Sequence, residues 1–164
     1  MPPKLKNNTS RPADKDYLKF LSSLRLIGLR LKSSSTSIDR KLFFELLEAE
    51  KPDKPLRSLS EMYETTNVGK DCFDAEGRYH VTIADGTKVA LKIECVFAVH
   101  MHAPPPVDSQ MAQRFSKSDL RFVLLPFARQ FVSGITSQME IPPIVLPLAA
   151  AAGKARVAKV HEEG

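Results

Sequence analysis

Cys95, His100 and His102 are the residues of this sequence whose types and spacing come nearest to a metal site. They fall in a run rich in Val, Ile and Phe that predicts a β-strand, in which successive side chains point to opposite faces. His100 and His102 would then share one face, while Cys95 would lie on the other. No fourth ligand stands nearby, so the spacing favours ordinary strand residues over a zinc site. We expect neither a metal nor a cofactor.

Arrangements typical of catalysis are missing elsewhere in the sequence. His80 and His161 have no acid and nucleophile arranged around them, and the serines of residues 33–35 do not belong to a nucleophile elbow. The glutamates of residues 45–50 lie on a short predicted helix whose other face is occupied by leucines, which is typical of a solvated helix face. No P-loop and no dinucleotide fingerprint occurs. We therefore expect a protein that is not an enzyme.

Apolar surface is the feature that does suggest a function. Large apolar residues occur near the end of the last predicted strand, on both sides of a proline-rich stretch at 103–107, and after a long predicted helix. Methionine is common on surfaces that accept varied partners. The pattern predicts a groove for varied apolar peptides, lined by Phe97, Val99, Met101, Val107, Met111, Phe115, Met139, Ile141, Ile144 and Leu146.

The first elements that would position this groove follow from hydrophobic periodicity. Apolar residues at i, i+3, i+4 and i+7 predict a short helix over residues 13–24. Alternation then predicts a strand over 25–35, and helical spacing returns over 39–50 until prolines end it. The alternation in the strand places three apolar residues on one face: Ile27, Leu29 and Leu31.

Three further strands are predicted at about 60–72, 77–84 and 87–101. The dipeptides Glu76-Gly77 and Asp85-Gly86 separate them, and Asp-Gly is a strong signal for a two-residue hairpin. The last strand is long and is rich in Val, Ile and Phe. Together these runs predict a sheet built from neighbouring antiparallel strands.

The region after the sheet predicts a crossover, a helix and an extended segment. Prolines make residues 103–107 extended, Ser118-Asp119 predicts the start of a helix that runs to about Met139, and residues 141–148 are apolar and proline-rich. The apolar arc of the helix is wider than contact with one sheet requires. The excess predicts a subunit interface, formed by Leu120, Phe122, Leu124, Phe127, Phe131 and Ile135.

Length and charge set the remaining limits. The 164 residues favour a single domain over 13–148, with a disordered basic lead at 1–12 and a flexible tail at 149–164. The net charge is +5, and residues 1–41 hold ten Lys or Arg against three Asp, so residues 42–164 are nearly neutral.

No apolar run approaches the roughly 20 residues that cross a bilayer, and the first residues lack the apolar segment of a secretory signal. We expect a cytoplasmic protein with no membrane insertion.

Residues 124–139 contain Pro126-Phe-Ala-Arg129 near their start, and they are followed by Ile141-Pro-Pro-Ile-Val-Leu-Pro-Leu148. These two stretches resemble the SecB family of export chaperones. The order of four strand-like runs, crossover and helix over about residues 24–148 is also similar to that family. The resemblance implies an α+β fold, with a SecB-like four-stranded antiparallel sheet, a long helix packed across it and a short additional N-terminal helix. It also implies a homo-oligomer, a dimer of dimers.

The same resemblance implies a function. SecB-like proteins hold newly made polypeptides unfolded in apolar grooves, without ATP. This chain is therefore expected to be an ATP-independent holdase for unfolded polypeptides that takes part in protein export and transport, with the apolar residues above as its groove. Ile93 and Glu94 match the positions where export members contact the motor ATPase SecA.

Three features depart from the export members and leave alternatives open. The chain is basic rather than acidic, its first strand has no acidic residue to offer SecA, and the helix at 13–24 is an addition. That helix is similar to the divergent SecB-like chaperones that stabilise antitoxins. One alternative is thus a chaperone dedicated to an antitoxin of a toxin–antitoxin system. The other is a nucleic-acid-binding protein that uses the basic residues 1–41.

Overall fold

The computed structural model describes residues 12–49 and 57–147. The predicted lead at 1–12, apart from its last residue, and the predicted tail at 149–164 lie outside the described residues. The elements, in chain order, are α1 (Pro12–Ser23), β1 (Arg25–Ile38), α2 (Arg40–Ala49), β2 (Arg57–Val68), β3 (Cys72–Asp85), β4 (Lys88–His102), α3 (Ser109–Ser118) and α4 (Leu120–Gln138). The four strands form one antiparallel sheet in the order β1-β4-β3-β2, so the predicted α+β architecture is confirmed.

Strand β1 lies at the edge of the sheet and pairs with β4. The register shifts between Leu26 and Gly28, so that Leu26 lies opposite Met101 and Leu29 lies opposite Val99. Directly opposed residues of paired strands point to the same face. The predicted apolar face of β1 is therefore wrong at one position, because the bulge at Gly28 places Leu26, rather than Ile27, beside the buried residues of β4.

Gly77 shows why the predicted turn at 76–77 is wrong. Both residues lie inside β3, and residues 69–71 connect β2 to β3 instead. A Cβ at Gly77 would lie 2.6 Å from Cδ1 of Leu124 and 3.0 Å from Cε1 of Tyr63. A Cβ 2.6 Å from the buried side chain of Leu124 would force that side chain to move, so the glycine allows the close approach of α4 to the sheet.

Two helices follow the crossover. Helix α4 forms where the helix to about Met139 is predicted, and α3 precedes it. Asp108 caps α3, since its carboxylate accepts hydrogen bonds from the amides of Gln110 at 2.7 Å and Met111 at 3.4 Å. Asp119, the predicted cap of α4, makes no such bond. Its carboxylate accepts a hydrogen bond from the hydroxyl of Tyr17, which attaches α1 to the junction of α3 and α4.

The described helices lie on one face of the sheet, and none of them covers the other face, here called the open face. Helix α3 packs on β2, α4 packs on β3 and β4, and α2 packs on the far end of β4. The odd-numbered residues from Phe73 to Ile83 on β3 and from Leu91 to Met101 on β4 are buried beneath these helices. They form the core together with Phe43, Leu46, Leu120, Leu124 and Val132. Within the described ranges, no helix combines the length and apolar character that a membrane span requires.

Candidate apolar binding site

The residues predicted to line an open groove are mostly part of the core. The odd-numbered side chains of β4 face α4, and the segment after α4 folds back onto the same core. Three of the ten residues, Val107, Met111 and Met139, are half-buried. The other seven are buried: Phe97, Val99, Met101, Phe115, Ile141, Ile144 and Leu146. In this chain these residues contribute to the core, so no groove open to solvent runs along them.

An open apolar surface lies beside α4, over the first half of β1. Leu31 is 42% exposed although it lies opposite the buried Phe97. The ring of Phe97 is 6.2 Å from the ring of Phe131, centroid to centroid. Phe127 lies about one turn before Phe131 on the same side of α4 and is exposed as well. We call this surface the β1–α4 strip, and it consists of Leu26, Leu29, Leu31, Phe127 and Phe131.

The strip adjoins a free strand edge. Strand β1 has β4 on one side, and within the described part of the chain no strand pairs with its other side. An edge strand presents unpaired amide and carbonyl groups, to which an extended peptide can add as a further strand. Contiguous exposed apolar surface on a soluble chain marks an interaction site. The strip and the edge together therefore suit an extended, apolar polypeptide.

The other side of α4 is occupied by the chain itself. Residues 141–147, here called the return segment, follow α4 and lie against it in extended form. The amide of Ile141 donates to the carbonyl of Thr136 at 3.3 Å, and the amide of Ile144 donates to Oγ1 of Thr136 at 3.1 Å. Thr136 and Phe127 are nine residues apart, which at about 100° per residue places them on opposite sides of the helix. One flank of α4 is thus filled and the other is open.

The predicted subunit interface on α4 is corrected by the burial of its residues. Leu120 and Leu124 are completely buried in the core of this chain, so neither can contact a partner. Phe131 and Ile135 are half-buried against the same core. Phe122 is 71% exposed and, with Phe127, is the part of the predicted interface that lies on the surface.

The two positions matched to SecA contacts lie on opposite faces of β4. Ile93 is completely buried beneath the helices and cannot contact a partner, which corrects its assignment. Glu94 lies on the open face, where its carboxylate accepts hydrogen bonds from Lys92 and Ser35, each at 3.1 Å. These bonds, from Lys92 first and Ser35 second, hold the pKa of Glu94 below its usual value. Alternation along the strand separates the two positions.

The cysteine and histidines of β4 also lie on opposite faces, as alternation predicts. Cys95 is buried on the covered face, where desolvation raises the pKa of its thiol to about 12. On the open face, Nδ1 of His100 lies 2.6 Å from Oδ1 of Asp74. Among residues 12–49 and 57–147 no cluster of three metal-ligating side chains occurs.

The open face of the sheet carries a depression with a mixed polar and apolar lining. Its volume is about 410 Å³, and its lining includes serines of β1 and β2, the charged Arg78 and Glu94, and the exposed Met62. Nearby, the buried carboxylate of Glu76 pairs with Lys32 and, at 3.5 Å, with Arg78. Paired charges therefore lie around this depression, whereas the β1–α4 strip lies on the helix-covered side.

Comparison with known proteins identifies the fold. No protein-family model matches the sequence, and no curated protein matches it. A solved SecB-like chaperone of Mycobacterium tuberculosis, in complex with a ChAD peptide from the HigA1 antitoxin, matches with a TM-score of 0.61 and 16% identity, over 84% of this chain and 97% of that chain. A protein of unknown function from Streptococcus agalactiae matches with a TM-score of 0.46 and 10% identity, over 76% of this chain and 97% of that chain. The chain therefore has a SecB-like α+β fold.

Proposed function

We propose that this protein is an ATP-independent chaperone that holds unfolded polypeptide segments. The β1–α4 strip carries the proposal, because it places exposed leucine and phenylalanine side chains beside a free strand edge. The similarity in fold to a SecB-like chaperone that is bound to an antitoxin peptide supports it. The chemistry required is binding alone, so neither a cofactor nor a nucleotide takes part.

The strip can hold a client without reading its sequence. An extended client adds to the edge of β1 through main-chain hydrogen bonds, which every residue except proline can make. Alternate client side chains then pack on the strip, and each fully buried apolar side chain stabilises the complex by about 1.5–3 kcal/mol before ordering losses. A client held in this way cannot use the same side chains to aggregate.

Two kinds of chaperone are compatible with this geometry, and they differ in how many clients they bind. A general holdase would serve protein export, in the cytoplasm and as a dimer of dimers that uses the exposed Phe122. A dedicated chaperone would hold one antitoxin, as the antitoxin peptide in the complex of the similar structure suggests. Affinities for several unrelated unfolded proteins separate the two, since a general holdase binds them alike and a dedicated one binds its antitoxin far more tightly.

A pair of aspartate variants tests the strip itself. Leu31 of β1 and Phe44 of α2 are each 42% exposed, so a charge disturbs folding to a similar, small extent at either position. We expect Leu31→Asp to weaken binding of a fluorescently labelled, reduced and unfolded model protein by about tenfold or more, measured by anisotropy, because a charge would be desolvated in the complex. Phe44→Asp, the control, should bind as the wild type does.

The outcomes separate three cases. Equal binding by the wild type and Leu31→Asp would show that clients bind elsewhere. Equal weakening by both variants would show a general effect of added charge. Absence of binding by the wild type would overturn the holdase proposal.

A further inference from the structure

Strand β1 carries positive charge on the side opposite to the β1–α4 strip. Arg25 lies opposite His102 and Arg30 lies opposite Ala98, and these even-numbered residues of β4 point to the open face. Both arginines are exposed, and no carboxylate of the described residues forms an ion pair with either of them. This edge strand is therefore apolar on one face and cationic on the other.

Acidic residues are missing from the two strands nearest this edge. Residues 25–32 of β1 and residues 96–102 of β4 contain no Asp and no Glu. Across the same part of the sheet, the acidic residues of the open face are Asp74 and Glu76. They lie on β3, further from the edge, and each is already paired with a basic side chain. The positive charge at the edge is therefore available to a partner that adds beyond β1.

A polypeptide strand that adds to the edge of β1 meets both faces at once. Its main chain bonds the free edge, and its successive side chains point to opposite faces of the sheet. Side chains on one face pack on the leucines of the strip, while those on the other face lie beside Arg25 and Arg30. Directly opposed residues of paired strands have Cβ atoms about 4.5–5.5 Å apart, which brings a carboxylate within reach of a guanidinium.

We infer that this edge selects extended client segments in which apolar and acidic residues alternate. The inference rests on the proposed function and deepens it, because it names the chemistry of the client. Main-chain bonds and the strip hold a segment whatever its charge. Glutamate or aspartate beside the arginines then strengthens binding, whereas lysine there weakens it, since like charges on directly opposed residues repel each other.

The spacing along β1 sets where the acidic residues of the client lie. Arg25, Gly28 and Arg30 are successive open-face positions, because the bulge between Leu26 and Gly28 adds one residue to the strand. A client that pairs with β1 as β4 does on the other side places residues i and i+4 opposite the two arginines. Gly28 has no side chain, and a Cβ there would meet no atom within 4 Å, so client residue i+2 has room. Acidic residues at i and i+4, with apolar residues at i+1 and i+3, thus fit both faces.

The strand edge favours a polypeptide over a nucleic acid at this surface. Two arginines can also contact phosphates. A nucleic acid, however, cannot continue the hydrogen-bond ladder of β1, and its backbone gains nothing from the leucines on the other face. The acidic polypeptide is therefore the partner that uses both features of the edge.

Three labelled peptides test this preference on the wild-type protein. They alternate valine with glutamate, with serine or with lysine, so they differ only in the charge on one face of the strand. Anisotropy should show that the Val–Glu peptide binds about tenfold more tightly than the Val–Lys peptide, with the Val–Ser peptide between them. The difference should shrink in about 1 M salt, because salt screens exposed charges. Equal binding of all three peptides would overturn the inference and leave the proposed function standing, whereas binding of none would overturn both.

A charge reversal separates local pairing from the positive net charge of the protein. A folded Arg30→Glu protein should bind the Val–Glu and Val–Lys peptides alike, because one charge of each sign then lies beside the client. Lys117→Glu, the control, makes the same change in net charge at an exposed position of α3, which packs on β2 at the opposite edge of the sheet. It should keep the preference for the Val–Glu peptide.

Two results of these experiments would overturn the inference. Equal shifts in both variants would show that the preference comes from net charge and not from the arginines of β1. Displacement of the bound Val–Glu peptide by an equal concentration of single-stranded RNA would show that the surface is a nucleic-acid site.

Discussion

The two flanks of α4 present similar apolar chemistry in opposite states. On the Thr136 flank, the return segment buries Ile144 and Leu146 in the core. On the Phe127 flank, Leu26 and Leu31 of β1 remain exposed, beside a strand edge with which no other described strand pairs. One helix thus supports both an occupied apolar surface and a vacant one.

The two flanks differ because a covalently attached segment covers one of them. This attachment explains how an apolar surface can stay covered. The return segment is joined to the end of α4 by a few residues, so its effective concentration at the adjacent groove is high. The β1–α4 strip has no such tethered occupant among the described residues. It is therefore the flank that a separate molecule can reach first.

The greatest change in the free energy of unfolding is expected at a leucine of the filled flank, compared with a leucine of the open flank. Leu146→Ala should lower the free energy of unfolding by about 2–5 kcal/mol, because it opens a cavity in a filled groove. Leu31→Ala should lower it by less than about 1 kcal/mol, since Leu31 already contacts water. Urea denaturation of both variants measures the difference. Equal losses would show that the strip is packed as tightly as the groove.

A smaller change in the free energy of unfolding is expected when the ion pair of Arg121, at the filled flank, is broken. Nε of Arg121 donates to Glu61 at 2.8 Å, and both side chains are largely buried. Burial by itself lowers the pKa of Arg121, but the hydrogen bond and the charge of Glu61 raise it, so the guanidinium is charged. Glu61→Gln leaves that buried charge without its carboxylate, and the free energy of unfolding should fall by about 3 kcal/mol.

The exposed pair of Arg78 with Glu64 provides the control for that variant. The two side chains meet at 3.1 Å and are each nearly half exposed. Glu64→Gln should therefore change the free energy of unfolding by no more than about 1 kcal/mol. A loss for Glu61→Gln no larger than this would show that the buried pair of Glu61 with Arg121 stabilises the fold no more than an exposed pair does.

The smallest effect lies on the open flank. Gly134 follows Phe127 by two turns on the same side of α4, and a Cβ there would meet no atom within 4 Å. Gly134→Ala should raise the free energy of unfolding by about 0.5–1 kcal/mol, because glycine is a poor helix former. Differential scanning calorimetry detects the gain as a higher melting temperature. A loss of stability would indicate that another chain packs closely on this flank.

Sequence patterns predict the strands and most of the helices, but they do not predict which elements pack over which residues. Periodicity predicts all four strands, and the Asp85-Gly86 signal is confirmed by a hairpin in which Gly86 has a φ of 60°. Periodicity places the turn between β2 and β3 at residues 76–77 instead of 69–71. It does so because Gly77 resembles a turn residue, whereas its close contact is with Leu124, which is remote in sequence. A pattern shows which residues are apolar, and only the packing of distant elements shows what lies over them.

The candidate site illustrates the same limit. The sequence predicts Phe97 and Ile144 as apolar positions near the crossover and the end of the helix. Both are buried, Phe97 against Phe131 of α4 and Ile144 because the return segment folds back. Strict alternation does not place Leu26 on the apolar face of β1, because the bulge beside Gly28 shifts the register by one residue. The isolated glycine is the sequence signal for such a bulge, but it does not show which residues change face.

The edge position of β1 has a further consequence, during synthesis. Strand β1 leaves the ribosome ahead of α2, β2 and β3, and its pairing partner, β4, is made after all of them. At about 5–20 residues per second, elongation keeps β1 waiting for seconds with its leucines uncovered. Helix α1 waits longer still, because Tyr17 docks on Asp119, 102 residues later. The nascent chain therefore passes through a stage in which its own first strand is an unfolded apolar segment of the kind that the finished fold is proposed to hold.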